Sequence, residues 1–499
     1  MIVAALSAST GCTNFYEEYY QPLVGTGGTG GTGGTTTTSI QPECIPTNAV
    51  GPIDDSCGVF VSASGGLDSN DGTSKSKAVS TLTKALAIAK GRPIYACADA
   101  GKPFSEAIEI DGEVQIFGGL DCATWEYTPQ TKTLWSAPAD QTPLHVKKDA
   151  SVTVQSFAIT AADSEKEGGS SIAIIAEVSA SLDLKACDVT AGDGKVGETP
   201  ATPAGMGTPG VMGGDGAMGC EMNTPASNAG AVGGLLTCAG TVADGGPGGA
   251  GIASSTGAPG GPGQPDDGVN GLAGNGQKDS PATACTAGGD GADGLPGDPG
   301  AGATGNGAVS NSGFTGVPGA DGVSVGKPGQ GGGGGGGASK CSSVNAGKAG
   351  PSAGGGGSGG CGGSPGKGGS SGGASIAILS LGATLTFLDT KVTAGNGGNG
   401  GDGGLGQPGG EGGKAGMPGD NNGDASAAAC GGGKGGKGGP GGRGGGGRGG
   451  HSIGIAYTGK VPDVTNITKI VTGTPGEGGA GDGAMGKGAA GIPAETQAF

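Results

Sequence analysis

The chain has 499 residues, a net charge of −17, and 126 glycines. Glycine offers no side chain to bury and loses the most backbone entropy on folding, so a conventional core is excluded over most of this length. An acidic chain repels nucleic acid, and the one basic run (Lys434, Lys437, Arg443, Arg448) is diluted by glycine and lacks aromatic neighbours, which reads as a solvated cationic strip.

Met1 to Gly11 is a short run of apolar and small residues ending in Ser9-Thr10-Gly11-Cys12. It resembles the lipobox of bacterial lipoproteins, and that resemblance implies lipidation at Cys12, although the basic n-region of a secretory signal is missing. An aromatic and acidic patch follows, Phe15 to Tyr20, and then Gly25 to Thr38, whose Gly-Gly-Thr repeats have the composition of a flexible tether.

Folded sequence is expected from Cys57. Val59-Phe60-Val61 is a strand candidate, and Gly65 to Gly72 has turn chemistry. Asp68-Ser69-Asn70-Asp71-Gly72 looks calcium-like but lacks EF-hand spacing, so Asx turns are the simpler reading. Ser80 or Thr81 can cap a helix with apolar face Leu82, Ala85, Leu86 and Ala89, stopped at Gly91. Short β-type runs follow at Ile94 to Ala96, Ala107 to Ile110 and Val114 to Phe117.

From Leu144 a repeat appears, with further units opening at Ile172, Ile376 and Ile453, each made of three short β-type stretches. Three units open Ser-Ile-(Ala/Gly)-Ile, at Ser171, Ser375 and Ser452, and three close on Val-Thr, at Val189, Val392 and Val471. The long glycine-rich segments leave just after that Val-Thr. In a solenoid, equivalent points lie on one face, so each segment must run out and come back.

These repeats, with Val61-Ser62, Gly65 to Thr73, the Thr81 to Lys90 helix, Ile116-Phe117-Gly118-Gly119, Trp125 and Thr128, resemble right-handed parallel β-helix proteins of the pectin-lyase-like class. The resemblance covers about two-fifths of the chain. It implies an all-β fold, a right-handed parallel β-helix capped by a helix and interrupted by glycine-rich insertions. The expected division is 1–54 signal remnant and tether, 55–191 cap and β-helix, 192–373 insert, 374–394 coil, 395–450 insert, 451–473 last coil and 474–499 tail. Broken Gly-x-x register and 30 prolines argue against collagen. The calcium-binding nonapeptide repeat is not met at Gly288 to Asp293. The composition is similar to that of snow-flea antifreeze proteins and glycine-rich phage adhesins, which implies bundled polyproline-II strands as against disorder. It is PE-PGRS-like in glycine content alone, since no helical PE domain is present.

The chain has twelve cysteines and none forms a CxxC pair. Disulfides are expected among Cys44, Cys57, Cys97, Cys122, Cys220, Cys238, Cys285, Cys341, Cys361 and Cys430, in an oxidising compartment and with connectivity open. With Cys12 lipidated, eleven remain, so one thiol is left over. Catalytic material is scarce. His145 and His451 sit near the starts of two coils, Arg92 precedes the repeats, and nothing in the sequence pairs Lys147 or Lys148 with a carboxylate. Asp183 and Asp188 share a coil but read as a chance surface pair. Asn466-Ile467-Thr468 is a sequon that matters only in a glycosylating host. No catalytic residue, metal or cofactor is expected. The expected protein is a non-enzymatic, exported, lipid-anchored surface protein, adhesive or structural, contacting polysaccharide or a cell surface and no nucleic acid. A carbohydrate-active β-helix enzyme and an ice-binding protein are the alternatives, the former predicting a carboxylate-lined groove on one β-face.

Overall fold

The computed structural model describes residues 40–99, 101–343 and 345–499. Cys12, the Phe15 to Tyr20 patch and the Gly-Thr segment lie outside the described residues.

Short strands recur in a fixed rotation. The first turns contain β1 (Val59–Ser62), helix α1 (Leu82–Ala89), β2 (Ile94–Cys97), β3 (Phe104–Ser105), β4 (Ile108–Ile110), β5 (Glu113–Phe117), β6 (Thr133–Ser136), β7 (Leu144–Val146), β8 (Ser151–Gln155), β9 (Phe157–Thr160), β10 (Ser171–Ala176), β11 (Ser181–Lys185) and β12 (Asp188–Thr190). Four two-stranded hairpins or pairings involve β13 (Ser227–Asn228), β14 (Thr237–Cys238), β15 (Thr241–Val242), β16 (Gly251–Ile252), β17 (Lys278–Asp279), β18 (Ala282–Thr283), β19 (Ala308–Ser310) and β20 (Gly313–Thr315). The rotation resumes with β21 (Ser375–Leu381), β22 (Thr384–Leu388), β23 (Thr390–Thr393), β24 (Ser452–Thr458), β25 (Ile467–Val471) and β26 (Pro493–Ala498).

Three six-stranded sheets result, with orders β1-β2-β5-β8-β11-β22, β25-β23-β12-β9-β6-β3 and β26-β24-β21-β10-β7-β4. We call them sheets A, B and C. Every neighbouring pair in them is parallel, the turns β4–β6, β7–β9, β10–β12 and β21–β23 each pass from C to A to B, and the last passes from β24 in C to β25 in B. The fold is therefore mostly β, built from parallel sheets and compatible with a parallel β-helix.

Local chemistry explains the corners. Between sheets C and A the chain turns at Asp149, Ser179 and Gly382, all with φ between 62° and 87°. Each is followed by a buried alanine, Ala150, Ala180 or Ala383. Asp and Gly tolerate the left-handed conformation, and alanine fits the tight inside of the bend. Between A and B the same role falls to Ser156, Ala186 and Asp389. Aliphatic side chains then stack across coils: Val152, Leu182 and Leu385 in sheet A, and Leu144, Ile174 and Ile378 in sheet C, all within one core.

The first coil is closed by α1, which buries Leu82, Ala85 and Ala89. Thr81 caps it through Lys84 N–H, and Lys90 ends it in the left-handed conformation. Packing begins earlier than Cys57: Ile53 is fully buried and Cys44 bonds to Cys57. Outside sheet A the rings of Phe60, Tyr95 and Phe117 stack at 5.5 Å intervals, with Trp125 edge-on to Phe60.

The glycine-rich stretches all lie at the B-to-C corner: between β12 and β21, between β23 and β24, and between β25 and β26. The recurring serine bolts this corner. Ser171, Ser375 and Ser452 accept the N–H of Gly192, Gly395 and Gly473 at 2.9, 2.7 and 2.8 Å.

Beyond the corner the segments bond to one another in a three-residue rhythm. From Gly354 to Cys361, successive amides donate to Cys430, Gly214, Gly246, Gly433, Val211, Ala243, Gly436 and Thr208. Each residue thus faces a different neighbour, and the cycle returns every third residue. This segment is interior, and almost every position in it is glycine because a side chain would collide. A Cβ on Gly362 would lie 1.7 Å from the carbonyl oxygen of Gly326. A peripheral segment behaves differently. Gly291, Gly294, Gly297 and Gly300 donate inward to Lys434, Lys437, Pro440 and Arg443, while Asp293, Leu295, Pro296, Asp298 and Pro299 face solvent. Runs of glycine mark the inside of the body, and Gly-x-x marks its outside.

Asx side chains complete the network. Asp193 accepts Asn396 N–H, Asn396 accepts Thr474 N–H, and Asp290 and Asp293 accept Lys434 and Lys437 N–H. The disulfides Cys220–Cys341, Cys238–Cys361 and Cys285–Cys430 tie distant parts of the glycine-rich body together, with Cys97–Cys122 in the first coils. All ten expected cysteines are therefore paired. Five disulfides point to an extracellular or exported protein. Among the described residues no helix is long and apolar enough to cross a membrane.

Candidate functional site

Sheet C places side chains in register across adjacent strands. Glu109 on β4 pairs with His145 on β7, which pairs with Ile175 on β10. Their neighbours Ile108, Ile110, Leu144, Val146, Ile174 and Ala176 point to the core, so Glu109, His145 and Ile175 point outward. One position beyond the strands, Lys147 and Glu177 extend the same surface.

These groups touch. His145 Nε2 is 2.9 Å from Glu177 Oε1, and its Nδ1 is 3.5 Å from Glu109 Oε1. Lys147 Nζ lies 3.2 Å from Glu177 Oε1 and 3.7 Å from Glu109 Oε2. The Lys148 amide donates to Glu177 Oε2 at 3.2 Å. The expectation that nothing pairs Lys147 with a carboxylate is thus overturned, while Lys148 meets Glu177 through its backbone amide alone. The partners come from coils about 35 residues away, and only the parallel register brings them together. Glu109 and Glu177 stand at different register positions of the repeat, level with His145 and Lys147 respectively, so no recurring acidic position marks them in the sequence.

The pair differs in exposure. The Glu109 side chain is 67% exposed, whereas that of Glu177 is only 13% exposed. Burial works against charge on Glu177, but the Lys147 ammonium, the Lys148 amide and His145 outweigh it and hold its carboxyl below the usual range. The same contact with Glu177 raises Lys147.

Beside this cluster is a cleft of about 440 Å³. Ala107, Ile108 and Ile175 form its apolar floor, and Glu109, Gln141, Thr142 and His145 supply polar groups. Asn311 and Ser312, at the tip of the β19–β20 hairpin, close one side. One carboxylate, Glu109, with the amides of Gln141 and Asn311 and the hydroxyls of Thr142 and Ser312, suits a ligand rich in hydroxyls. A general acid needs a raised pKa, and the shift at Glu177 runs the other way.

The remaining sequence candidates have structural partners. Asp183 is on sheet A and bonds Lys185 at 2.8 Å, while Asp188 is on sheet B and bonds Lys132 at 2.7 Å. Facing different directions, they form no catalytic pair. Arg92 donates to Gly58 O. Asp68 accepts the amides of Ser80 and Thr81 ahead of α1, and Asp71 turns onto Thr73. Within the sequon, Thr468 donates to Asp389. The basic run is divided. Lys434 and Lys437 are exposed, with Lys437 on Glu411, whereas Arg443 and Arg448 turn inward onto backbone carbonyls. Only its first half fits a solvated strip. Cys187 is buried in the core and unpaired, and burial pushes its thiol up to about 12. Cys220, Cys341 and Asp424 lie close together, but the two sulfurs form a disulfide and are not free to bind a metal.

No known family profile matches the chain, and no curated protein matches it. Among solved structures it is similar to a GH136 lacto-N-biosidase from Eubacterium ramulus, at 12% identity and a TM-score of 0.20. That match spans 26% of each chain.

Proposed function

We propose that this is an exported surface scaffold with an adhesive role and no catalytic activity. In this reading the solenoid is a right-handed parallel β-helix, the glycine-rich body is a bundle of polyproline-II strands, and a lipid on Cys12 anchors the chain through the Gly-Thr tether. The observation that carries it is the three-residue cycle of amide donation through Gly354 to Cys361, which ties the glycine-rich segments into one cross-linked body. A threefold repeat is the signature of polyproline-II geometry, and such a body holds a fixed surface without an apolar core.

Its contact face is the outer pair of segments near Val211 and Val232, joined by Gly214 N–H to Val232 O at 2.8 Å. Val211, Met212, Met218, Val232 and Leu235 are all exposed there. Exposed apolar patches mark contact surfaces, and methionine adapts to irregular ones. The test is retention of the full chain on insoluble polysaccharides and on cells, with release of sugar ends assayed in the supernatant. Retention that falls in Met212→Asp and Val232→Asp, without product release, supports the reading. Release of new sugar ends refutes it.

The carbohydrate-active alternative is favoured by one observation, the cleft bordered by Glu109 and close to Glu177. It predicts product release abolished by Glu109→Gln. The ice-binding alternative is weaker. The outward row Asn399, Asp402, Leu405, Glu411, Lys414 and Met417 mixes charges and lengths, unlike a flat array of small groups.

A further inference from the structure

The outer face of sheet C is unusual in being apolar: Ile172, Ile175, Ile376, Leu379 and Ile453 are buried there. Val309 and Phe314 of the β19–β20 hairpin cover it, together with Phe499 after β26. These covering pieces converge on His451, which is fully buried.

Both ring nitrogens of His451 are committed. Nδ1 accepts the Ile492 amide at 2.9 Å, so it carries no proton. Nε2 therefore carries it and donates to Asn306 O at 2.8 Å. The imidazole thus joins the approach to the hairpin with the approach to β26. Phe314 and Phe499 stand against the ring at 5.3 and 5.9 Å.

The surroundings disfavour a second proton. Arg448, in the same segment, is buried and donates to Thr304 O and Gly305 O, while its Nε has no partner. No carboxylate pairs with Arg448 or His451 among the described residues. The hairpin side offers Asn306 and Phe314, and the β26 side Ile492 and Phe499, none with a titrating side chain. Arg448 is the charged group that acts on the ring.

We propose that His451 is an acid-sensitive latch: a proton on Nδ1 sets N–H against the Ile492 N–H, adds a second buried cation beside Arg448, and frees the hairpin and β26 from sheet C. Release uncovers the Ile172, Ile175 and Ile376 face and removes Asn311 and Ser312 from the side of the cleft. Burial, and then the Arg448 charge, lower the His451 pKa, so the latch stays closed at neutral pH and opens below its ordinary 6.5.

The test is hydrogen exchange of the full chain at about pH 7.5 and about pH 5, corrected for intrinsic rates. Protection at 306–316 and 491–499 should fall about tenfold or more at the lower pH, with the first coils unchanged. The effect should vanish in His451→Gln and persist in His145→Gln, the other histidine. A change spread evenly over the chain, or one lost in His145→Gln, overturns the proposal. Should His451→Gln not fold, the wild-type profile and the His145→Gln variant decide the matter alone.

Discussion

Glycine inside the bundle is a steric requirement, and Gly359→Ala tests this directly. A Cβ at Gly359 would lie 1.8 Å from the Gly329 carbonyl oxygen and 2.3 Å from its carbon. The closest ordinary C···O contact is about 3.3 Å, so the segments must part by about 1.5 Å. Separation breaks Gly359 N–H to Ala243 O, Gly329 N–H to Gly360 O and Gly332 N–H to Gly357 O, now 2.8 to 2.9 Å. Three net bonds at about 1 kcal/mol each, plus one or two stranded buried amides, cost about 4–8 kcal/mol. That is comparable to the whole stability of a typical domain, about 5–15 kcal/mol. Gly112 is the control, because a Cβ there meets nothing within 4 Å. Gly112→Ala should be neutral or stabilise by about 0.5 kcal/mol. Thermal melts followed by circular dichroism, with hydrogen exchange at 326–332, make the comparison. A Gly359→Ala melting temperature equal to that of Gly112→Ala would refute the close-approach argument.

Other outcomes follow from the same structure. Opening Cys285–Cys430, which spans 145 residues, by a double Ser substitution should cost about 5 kcal/mol in the chain-entropy picture, read from guanidinium melts under oxidising conditions. Ser375→Ala removes the nearer of two acceptors for Gly395 N–H, leaving Ala191 O at 3.1 Å, and should destabilise by about 0.5–1.5 kcal/mol, with faster exchange at that amide as the local marker. Lys147→Met should raise the Glu177 pKa toward and above its ordinary 4.5 in a carboxylate NMR titration, since burial is then less opposed. Stability should also depend on pH in two windows. His451 has a depressed folded pKa, so its contribution is complete above 6.5 and declines as pH falls from there toward the folded value. Asp424 is opposed by burial but held low by bonds from Ser426 and Ser343, so its contribution is complete above its ordinary 3.8 and is lost only in stronger acid. Urea midpoints measured from about pH 8 to about pH 1.5 would resolve the two steps.

Much of the architecture is legible in the sequence. The Ser-Ile openings, the Val-Thr closings, the short β-type runs and the α1 cap are local signals, set by backbone sterics and by side-chain period, and the ten disulfide cysteines follow from a loop-rich, core-poor composition. The departure of each glycine-rich segment after Val-Thr was likewise written in the repeat. Alternation failed on β10, β21 and β24 because both faces of those strands are buried, and a chain alone does not say what covers the second face.

What the tertiary structure decided are the relations between distant segments. Disulfide partners up to 145 residues apart, and the sorting of Arg443 and Arg448 inward from Lys434 and Lys437 outward, depend on which segments lie side by side. The Glu109–His145–Lys147–Glu177 cluster exists only in the parallel register, and the His451 latch only where three excursions return to one sheet. Composition sets which residues tolerate close approach. The folded arrangement alone sets which ones meet, because hydrogen bonds between glycine backbones carry no side-chain code for their partner.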